Sequence, residues 1–360
     1  MSHLLRLLWI LLVGSSSALW AAQPTEPRMA AHCINVGQAD ATLLEFPCGA
    51  VLIDAGAQDD QTGNHLIQFL RTFFNRRSDL SNTLAAVYIT HPHKDHTEAL
   101  RRVLQSFSTK RFIENGQDYG SGIGAVRWVR SVAAQRQITL RNVLNRDFMH
   151  SGNRSGLTDE VIDPLRCEQC DPEIMILSGQ WERNPGWPDD EFRNNNNHSL
   201  LIRVAFGESS FLFPGDLEEP AIHSLLEYYK EDGHASPLLD VGVYHVGHHG
   251  SHNATTQAWL DAMTPTIAVI SMGRWDFGKG TANPFTTWAY GHPRRLTVDL
   301  LARNIPGQRS APIRANLATG AKRFFPVTVR KRIYATGWDG DTTIRASLHN
   351  EFVVSTSPRP

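Results

Sequence analysis

Two stretches of this 360-residue chain repeat one order of elements, and that repetition constrains the fold more than any other feature. Residues 41–46 and 50–53 read as two strands about the turn Pro47-Cys48-Gly49, and the second ends in Asp54-Ala55-Gly56. Residues 199–204 and 210–213 do the same about Phe206-Gly207-Glu208 and end in Pro214-Gly215-Asp216. Helical spacing follows each hairpin, at 63–74 and at 220–230. An apolar strand then runs into histidines: 84–89 into His91-Pro92-His93-Lys94-Asp95-His96, and 239–246 into Gly247-His248-His249-Gly250-Ser251-His252. An internal repeat is one structural unit used twice. Two such halves packed face to face form a sandwich whose strand-end loops meet at one edge. The expected fold class is α/β, a sandwich of two similar halves.

The loops carry the chemistry. Neutral imidazole and carboxylate are the usual ligands of zinc and similar divalent ions, and four of them crowd positions 91–96. Loops from both halves can converge on two metals. His91, His93 and His198 are expected to hold one ion; Asp95 and His96, with a histidine of the second half, hold the other. Asp216 can bridge both, since a carboxylate has two oxygens. At least one of His248 and His249 is expected as a ligand. His198 follows an asparagine run and is either a ligand or a loop histidine without a role. Asp54 mirrors Asp216 and is expected to orient the metal loop by hydrogen bonds. Two such metals clamp a hydroxide made from water, which attacks a phosphorus or a carbonyl. Asp95 then serves catalysis as well as binding. The chain has no Gly-x-Ser-x-Gly elbow and no Walker loop.

Composition sets the outer limits. At 41% hydrophobic and 20% charged residues the chain can bury a sizeable core without disulfides. A formal net charge of -1 excludes a chain that is basic throughout. Yet residues 291–332 hold ten basic residues against one acid, Asp299. That asymmetry suits an anion such as a phosphate backbone, or a solvated basic face. Residues 1–22 run from Arg6 through an apolar stretch to small residues, as a secretory signal peptide does, or an uncleaved N-terminal anchor. The first alternative implies an exported protein, periplasmic or secreted, with no membrane span after processing. Among four cysteines, Cys167 and Cys170 suggest a local disulfide or free thiols. Residues 31–345 form the expected domain, with a less regular insertion at about 110–197 and a tail at 346–360.

The 91–96 motif resembles the His-x-His-x-Asp-His signature of the metallo-β-lactamase superfamily. Further motifs follow in order: Asn35-Val36-Gly37-Gln38-Ala39-Asp40, Asn197-His198-Ser199-Leu200, Phe213-Pro214-Gly215-Asp216, His248-His249-Gly250-Ser251, Tyr290-Gly291-His292-Pro293 and Thr336-Gly337-Trp338-Asp339-Gly340. Together they resemble the hydrolase domain of ComEC/Rec2 competence proteins. The resemblance implies a four-layer αββα sandwich with a two-metal edge, usually zinc with manganese as the alternative. It also implies nuclease or phosphodiesterase chemistry on DNA. It carries over His91, His93, Asp95, His96, Asp216 and one of His248 and His249 as ligands. His292 falls at the Gly-His-Pro position, where it contacts substrate, donates a proton to the leaving group, or is structural beside Pro293. Arg294 or Arg295 would hold the phosphate. Two departures stand out: beyond residues 1–22 no stretch of this sequence is long and apolar enough to read as part of the channel of those proteins, and Gly37-Gln38-Ala39 replaces Gly-Gln-Gly. The rival readings are an acyl hydrolase of lactams, lactones or thioesters on the same scaffold, and a non-catalytic module stabilised by its metals. No protein partner is inferred.

Overall fold

A computed structural model describes residues 28–149 and 154–357. The proposed signal segment, 1–22, lies outside the described residues. No helix among the described residues is long and apolar enough to cross a membrane.

Two mixed sheets form the centre. The first has eight strands, in the spatial order Phe352–Thr356, Thr342–Ala346, Met29–Cys33, Thr42–Phe46, Gly49–Ile53, Ala86–Ile89, Arg111–Glu114 and Thr139–Asn142. The second has six: Ile333–Ala335, Ile267–Ile270, Val243–His245, Ser209–Phe213, Leu201–Phe206 and Glu173–Ser178. The repeat is visible in the pairing. Thr42–Phe46 and Gly49–Ile53 are antiparallel, and Gly49–Ile53 then pairs in parallel with Ala86–Ile89. Leu201–Phe206, Ser209–Phe213 and Val243–His245 repeat that scheme.

Side-chain alternation at period two splits each strand between two apolar layers. Val51 and Ile53 face Ile202, Val204, Phe211 and Phe213 across the middle of the sandwich. Ala50 and Leu52 face outward onto Leu66, Leu70 and Phe74 of the helix Asp60–Arg76. On the far side Leu212, Tyr244 and Ile270 meet Ile222, Leu225, Trp259 and Leu301 of three further helices. Three such layers between helix, sheet, sheet and helix make the αββα sandwich.

The structure differs from the sequence expectation in four places. Residues 111–142 do not belong to an insertion: Arg111–Glu114 and Thr139–Asn142 extend the first sheet in parallel, around the helix Ile123–Val132. The expected tail contributes an edge strand, Phe352–Thr356. After the first histidine loop, where the sequence reads as one helix over 97–104, the structure has two, Lys94–Thr97 and Leu100–Ser106. The disulfide is not local: Cys48 bonds Cys167 across a sequence separation of 119, while Cys33 and Cys170 are free. Cys48 sits in the tight turn of the first hairpin, and this turn reaches the 154–172 segment, a proximity that spacing cannot reveal.

Candidate metal centre

The first half's loops are tied to one another before any side chain reaches the site. Asp40 N–H donates to Asp95 O at 3.0 Å, Gly56 N–H to Asp40 O at 2.8 Å, and Ala55 N–H to His96 O at 2.9 Å. Asp54 is fully buried at a left-handed φ of 57°. Its carboxylate accepts from Thr90 N–H and Thr90 Oγ1, both at 2.8 Å, and from His96 Nδ1–H at 2.7 Å. Asp54 therefore ties the end of its strand to the histidine loop by hydrogen bonds. The second half closes on Thr90 through Leu200 N–H, which donates to Thr90 O at 2.9 Å. A Cβ on Gly215 would lie 2.7 Å from Thr90 Cβ, so only glycine lets the two strand ends meet.

Asp216 is the centre of what results. Its Oδ1 lies 3.3 Å from His96 Nε2. Its Oδ2 lies 3.8 Å from His91 Nε2, 3.8 Å from His248 Nε2 and 3.9 Å from His249 Nε2. His249 Nε2 is also 3.4 Å from Asp95 Oδ2. Ligand atoms of Asp95, His96, Asp216 and His249 all fall within 4.8 Å of one another. Beside them His91 Nε2 and His93 Nδ1 are 3.0 Å apart. Two imidazole nitrogens on one tetrahedral zinc stand about 3.3 Å apart.

The imidazoles are held from behind by oxygen. His96 Nδ1 has Asp54, His249 Nδ1–H donates to Ser271 O at 2.8 Å, and His91 Nδ1 lies 3.3 Å from Ser199 Oγ. That fixes each ring with Nε2 toward Asp216, the second-layer support typical of metal-binding histidines. Yet His96 Nε2 and His249 Nε2 are buried and hydrogen-bond to nothing among the described residues. Buried polar atoms left without partners are costly, so donor atoms turned to a common space rather than to one another fit a cation.

Electrostatics agree. Burial disfavours charge on His96, but Asp216 and Asp54 outweigh it and hold its pKa well above the ordinary imidazole value. Burial likewise opposes charge on His249, and Asp216 and Asp95 raise its pKa to about 9. Burial would raise Asp216, yet His96, His248 and His249 hold its carboxyl well below the usual range. His91 is pushed well below the ordinary value, by burial and then by His96 and His93. In the bare protein, positive charge gathers on imidazoles around two anionic carboxylates. Metal binding replaces those protons.

His198 is a correction. Its Nδ1 accepts from Trp181 N–H at 3.1 Å and its Nε2–H donates to Phe192 O at 2.7 Å. Both ring nitrogens are thus committed to backbone, among Trp187 and Phe192, and neither is free for a metal. Of the second-half pair, His249 enters the four-residue cluster and His248 flanks it. Both are at left-handed backbone angles, φ 53° and 50°, an arrangement typical of functional turns. His292 is buried, stacked on Tyr290 and edge-on to His248. Burial, then His248, His249 and Arg294, hold it well below the ordinary imidazole pKa, so it stays neutral.

The two arginines part company. Arg295 pairs with Asp299 at 3.2 Å, an exposed pair one helical turn apart. Arg294 donates to Tyr290 O at 2.9 Å and has no acidic partner among the described residues. Burial and the Arg323 guanidinium push its pKa down. The basic segment is mostly a long hairpin, Gln308–Gly320 with Arg323–Lys331. It is joined to the margin of the site where Ala318 N–H donates to Pro293 O at 3.0 Å. Asp40 and Glu218 were missed by sequence reasoning. Asp40 lies with Asp54 and His96 in a second group within 4.8 Å, and the signal was its place at the end of the Gly37-Gln38-Ala39 loop. Glu218 offered no signal beyond standing two residues after Asp216.

A profile of the metallo-beta-lactamase superfamily matches residues 34–274. Recombination protein 2 of Haemophilus influenzae is 37% identical over 84 residues, which cover 23% of this chain and 10% of that protein. ComE operon protein 3 of Bacillus subtilis is 23% identical over 293 residues, 75% of this chain and 30% of that protein. The chain thus spans less than a third of the length of these curated relatives. Among solved structures, the human short-form tRNase Z aligns at a TM-score of 0.36 and 14% identity, over 67% of this chain and 91% of that one. With two thirds of its length matched by the profile, its αββα architecture and its His-Asp cluster, the chain belongs to the metallo-β-lactamase superfamily of metallohydrolases.

Proposed function

We propose that the protein is a phosphodiesterase dependent on two divalent ions, zinc or manganese, with DNA or another phosphodiester as substrate. The observation that carries the phosphate reading is Arg294. It stands beside His292 with no acid to neutralise it among the described residues, and Arg323, likewise without an acidic partner among them, is close enough to lower its pKa. Like charges left together in this way favour an anion between them. The naming of one relative for recombination supports a nucleic acid as that anion.

Asp95, His96, His249 and Asp216 would hold one ion, and His91 and His93 with Asp216 the other. When bound, such ions activate water and stabilise charge that builds on the phosphate. The chain's own residues do the rest. Asp54, Ser199 and the Ser271 carbonyl keep the imidazoles aimed. Arg294 orients the phosphate. His292, neutral and with Nδ1 unpartnered, is placed to hydrogen-bond the substrate rather than to supply charge. Tyr290 and the exposed Phe285, edge-to-face at 6.5 Å, give an apolar lip to the mouth. Export is part of the proposal: the segment at 1–22 and the Cys48–Cys167 disulfide both suit an oxidising compartment.

The test is a substrate panel with metal-loaded protein: bis-p-nitrophenyl phosphate, single- and double-stranded DNA, and nitrocefin. Phosphodiester turnover that a chelator abolishes is expected, and Arg294→Glu should cut kcat/KM at least about tenfold, the worth of one charge-assisted hydrogen bond. Turnover of nitrocefin alone, or an Arg294→Glu variant as active as the parent, overturns the phosphate reading.

A further inference from the structure

Glu218 is nearly buried and fully engaged, although it belongs to neither metal cluster. Asn196 Nδ2 donates to its Oε1 at 2.7 Å and Asn253 Nδ2 to its Oε2 at 2.8 Å. Its own N–H donates to Asn197 Oδ1 at 3.3 Å. Two asparagines thus clamp the carboxylate and a third holds its main chain. A buried carboxylate clamped by neutral amides still needs a cationic or proton-donating neighbour. That neighbour is His248, whose Nδ1 lies 3.2 Å from Oε1.

The consequence is at the other side of the ring. A carboxylate 3.2 Å from Nδ1 draws the ring proton to that nitrogen and leaves the lone pair on Nε2, which Asn196 Nδ2 approaches at 3.5 Å. His248 Nε2 and His91 Nε2 are equally far, 3.8 Å, from Asp216 Oδ2. The main chain serves the same end. His248 holds a left-handed φ of 50°, and its N–H donates to Gly215 O at 3.1 Å, within the turn that presents Asp216. The ring thus has an oxygen behind it, as His96 has in Asp54 and His249 in Ser271 O, although the 3.2 Å approach of Glu218 is an ion-pair contact and not an aligned hydrogen bond like those two. His198, by contrast, has spent both nitrogens on backbone.

We propose that Glu218 is a positioning residue which, clamped by Asn196 and Asn253, turns His248 Nε2 to Asp216, so that His248 rather than His198 completes the His91–His93 ion site. The proposal rests on the metal-centre reading. It assigns to the Asp216-Leu217-Glu218 segment two functions: Asp216 shared between ions, and Glu218 acting through a histidine thirty positions on.

The experiment is zinc titration of the full chain against a chromogenic chelator, with stoichiometry after dialysis and the visible spectrum of the cobalt(II)-loaded protein. Glu218→Gln is expected to weaken one of two sites by about 10- to 100-fold, the usual effect of removing a second-layer partner. His248→Ala should lose that site, and adding Glu218→Gln to it should cost nothing more. Asn253→Ala, a milder change, should move affinity in the same direction, which keeps the test open if Glu218→Gln does not fold. His198→Ala should keep both ions. Two full-affinity sites in Glu218→Gln and Asn253→Ala overturn the proposal and leave the metal-centre reading intact. A parent protein that takes up no zinc overturns the metal-centre reading itself, and the proposal with it.

Discussion

Asp54 and His96 meet through a 2.7 Å contact between Oδ2 and Nδ1, and both are buried beneath the edge of the sandwich. This pair links the end of one strand to the loop of its parallel neighbour. It also fixes which nitrogen of His96 is left for Asp216.

Asp54→Asn tests that link. Asparagine tolerates the left-handed backbone there, so the fold should survive. The amide no longer fixes His96 as a carboxylate does. Metal affinity should fall by about 10- to 100-fold, as read by chelator competition, while the melting temperature of the metal-free protein changes little by comparison.

Gly56 marks the closest approach in the site. A Cβ there would lie 1.6 Å from Asp95 O and 2.8 Å from Asp40 O, both main-chain atoms that cannot swing aside. Gly56→Ala should therefore destabilise the protein by roughly 3 kcal/mol, toward the upper range for overpacking, and release metal at the Asp95 side. Denaturant unfolding with and without zinc measures both.

Acid should act through Glu45. Burial would raise its pKa, but His32, Arg76 and Arg77 outweigh that and hold it well below the usual carboxylate range. A carboxyl depressed by folding contributes stability above its unfolded pKa and loses it as pH falls through the folded value. At pH 7 Glu45→Gln should be less stable by roughly 2 kcal/mol. Arg76 is mostly exposed and adds little of that. The gap between variant and parent should close progressively below about pH 4.3. Parallel denaturant curves at pH 7 and in acid decide it; a gap that stays constant removes Glu45 from the account.

The Cys48–Cys167 bond closes a separation of 119 residues. Loops of that order, cross-linked, are worth about 2–4 kcal/mol through restriction of the unfolded chain. Reductant, or serine at both positions, should lower unfolding free energy by that amount and leave metal stoichiometry unchanged. Equal stability with and without reductant counts against the bond.

Much of this was legible in the sequence because strands alternate and chemistry sits at their ends. The two hairpins, Asp54, Asp216 and the 91–96 cluster all announce themselves by position. Arg111–Glu114 and Thr139–Asn142 did not: they are four-residue strands, too short to show a period, and they pair in parallel with distant neighbours. His198 misled because type and neighbourhood suggest a ligand, whereas its ring orientation is set by Trp181 and Phe192. Glu218 was silent because a supporting carboxylate is recognised only by what it touches. The Cys48–Cys167 pairing depends on how the 154–172 segment lies against the first hairpin, which no local pattern encodes.

Asp216 lies within reach of His91 and His96 from one half and of His248 and His249 from the other. Any ion it shares is therefore a rivet through the seam between two repeats. Its binding free energy is also cohesion between them, and grows with the free concentration of the ion. Thermal resistance of this protein should then track the metal supply of its surroundings, which makes starvation for metal a mechanical weakness as well as a chemical one.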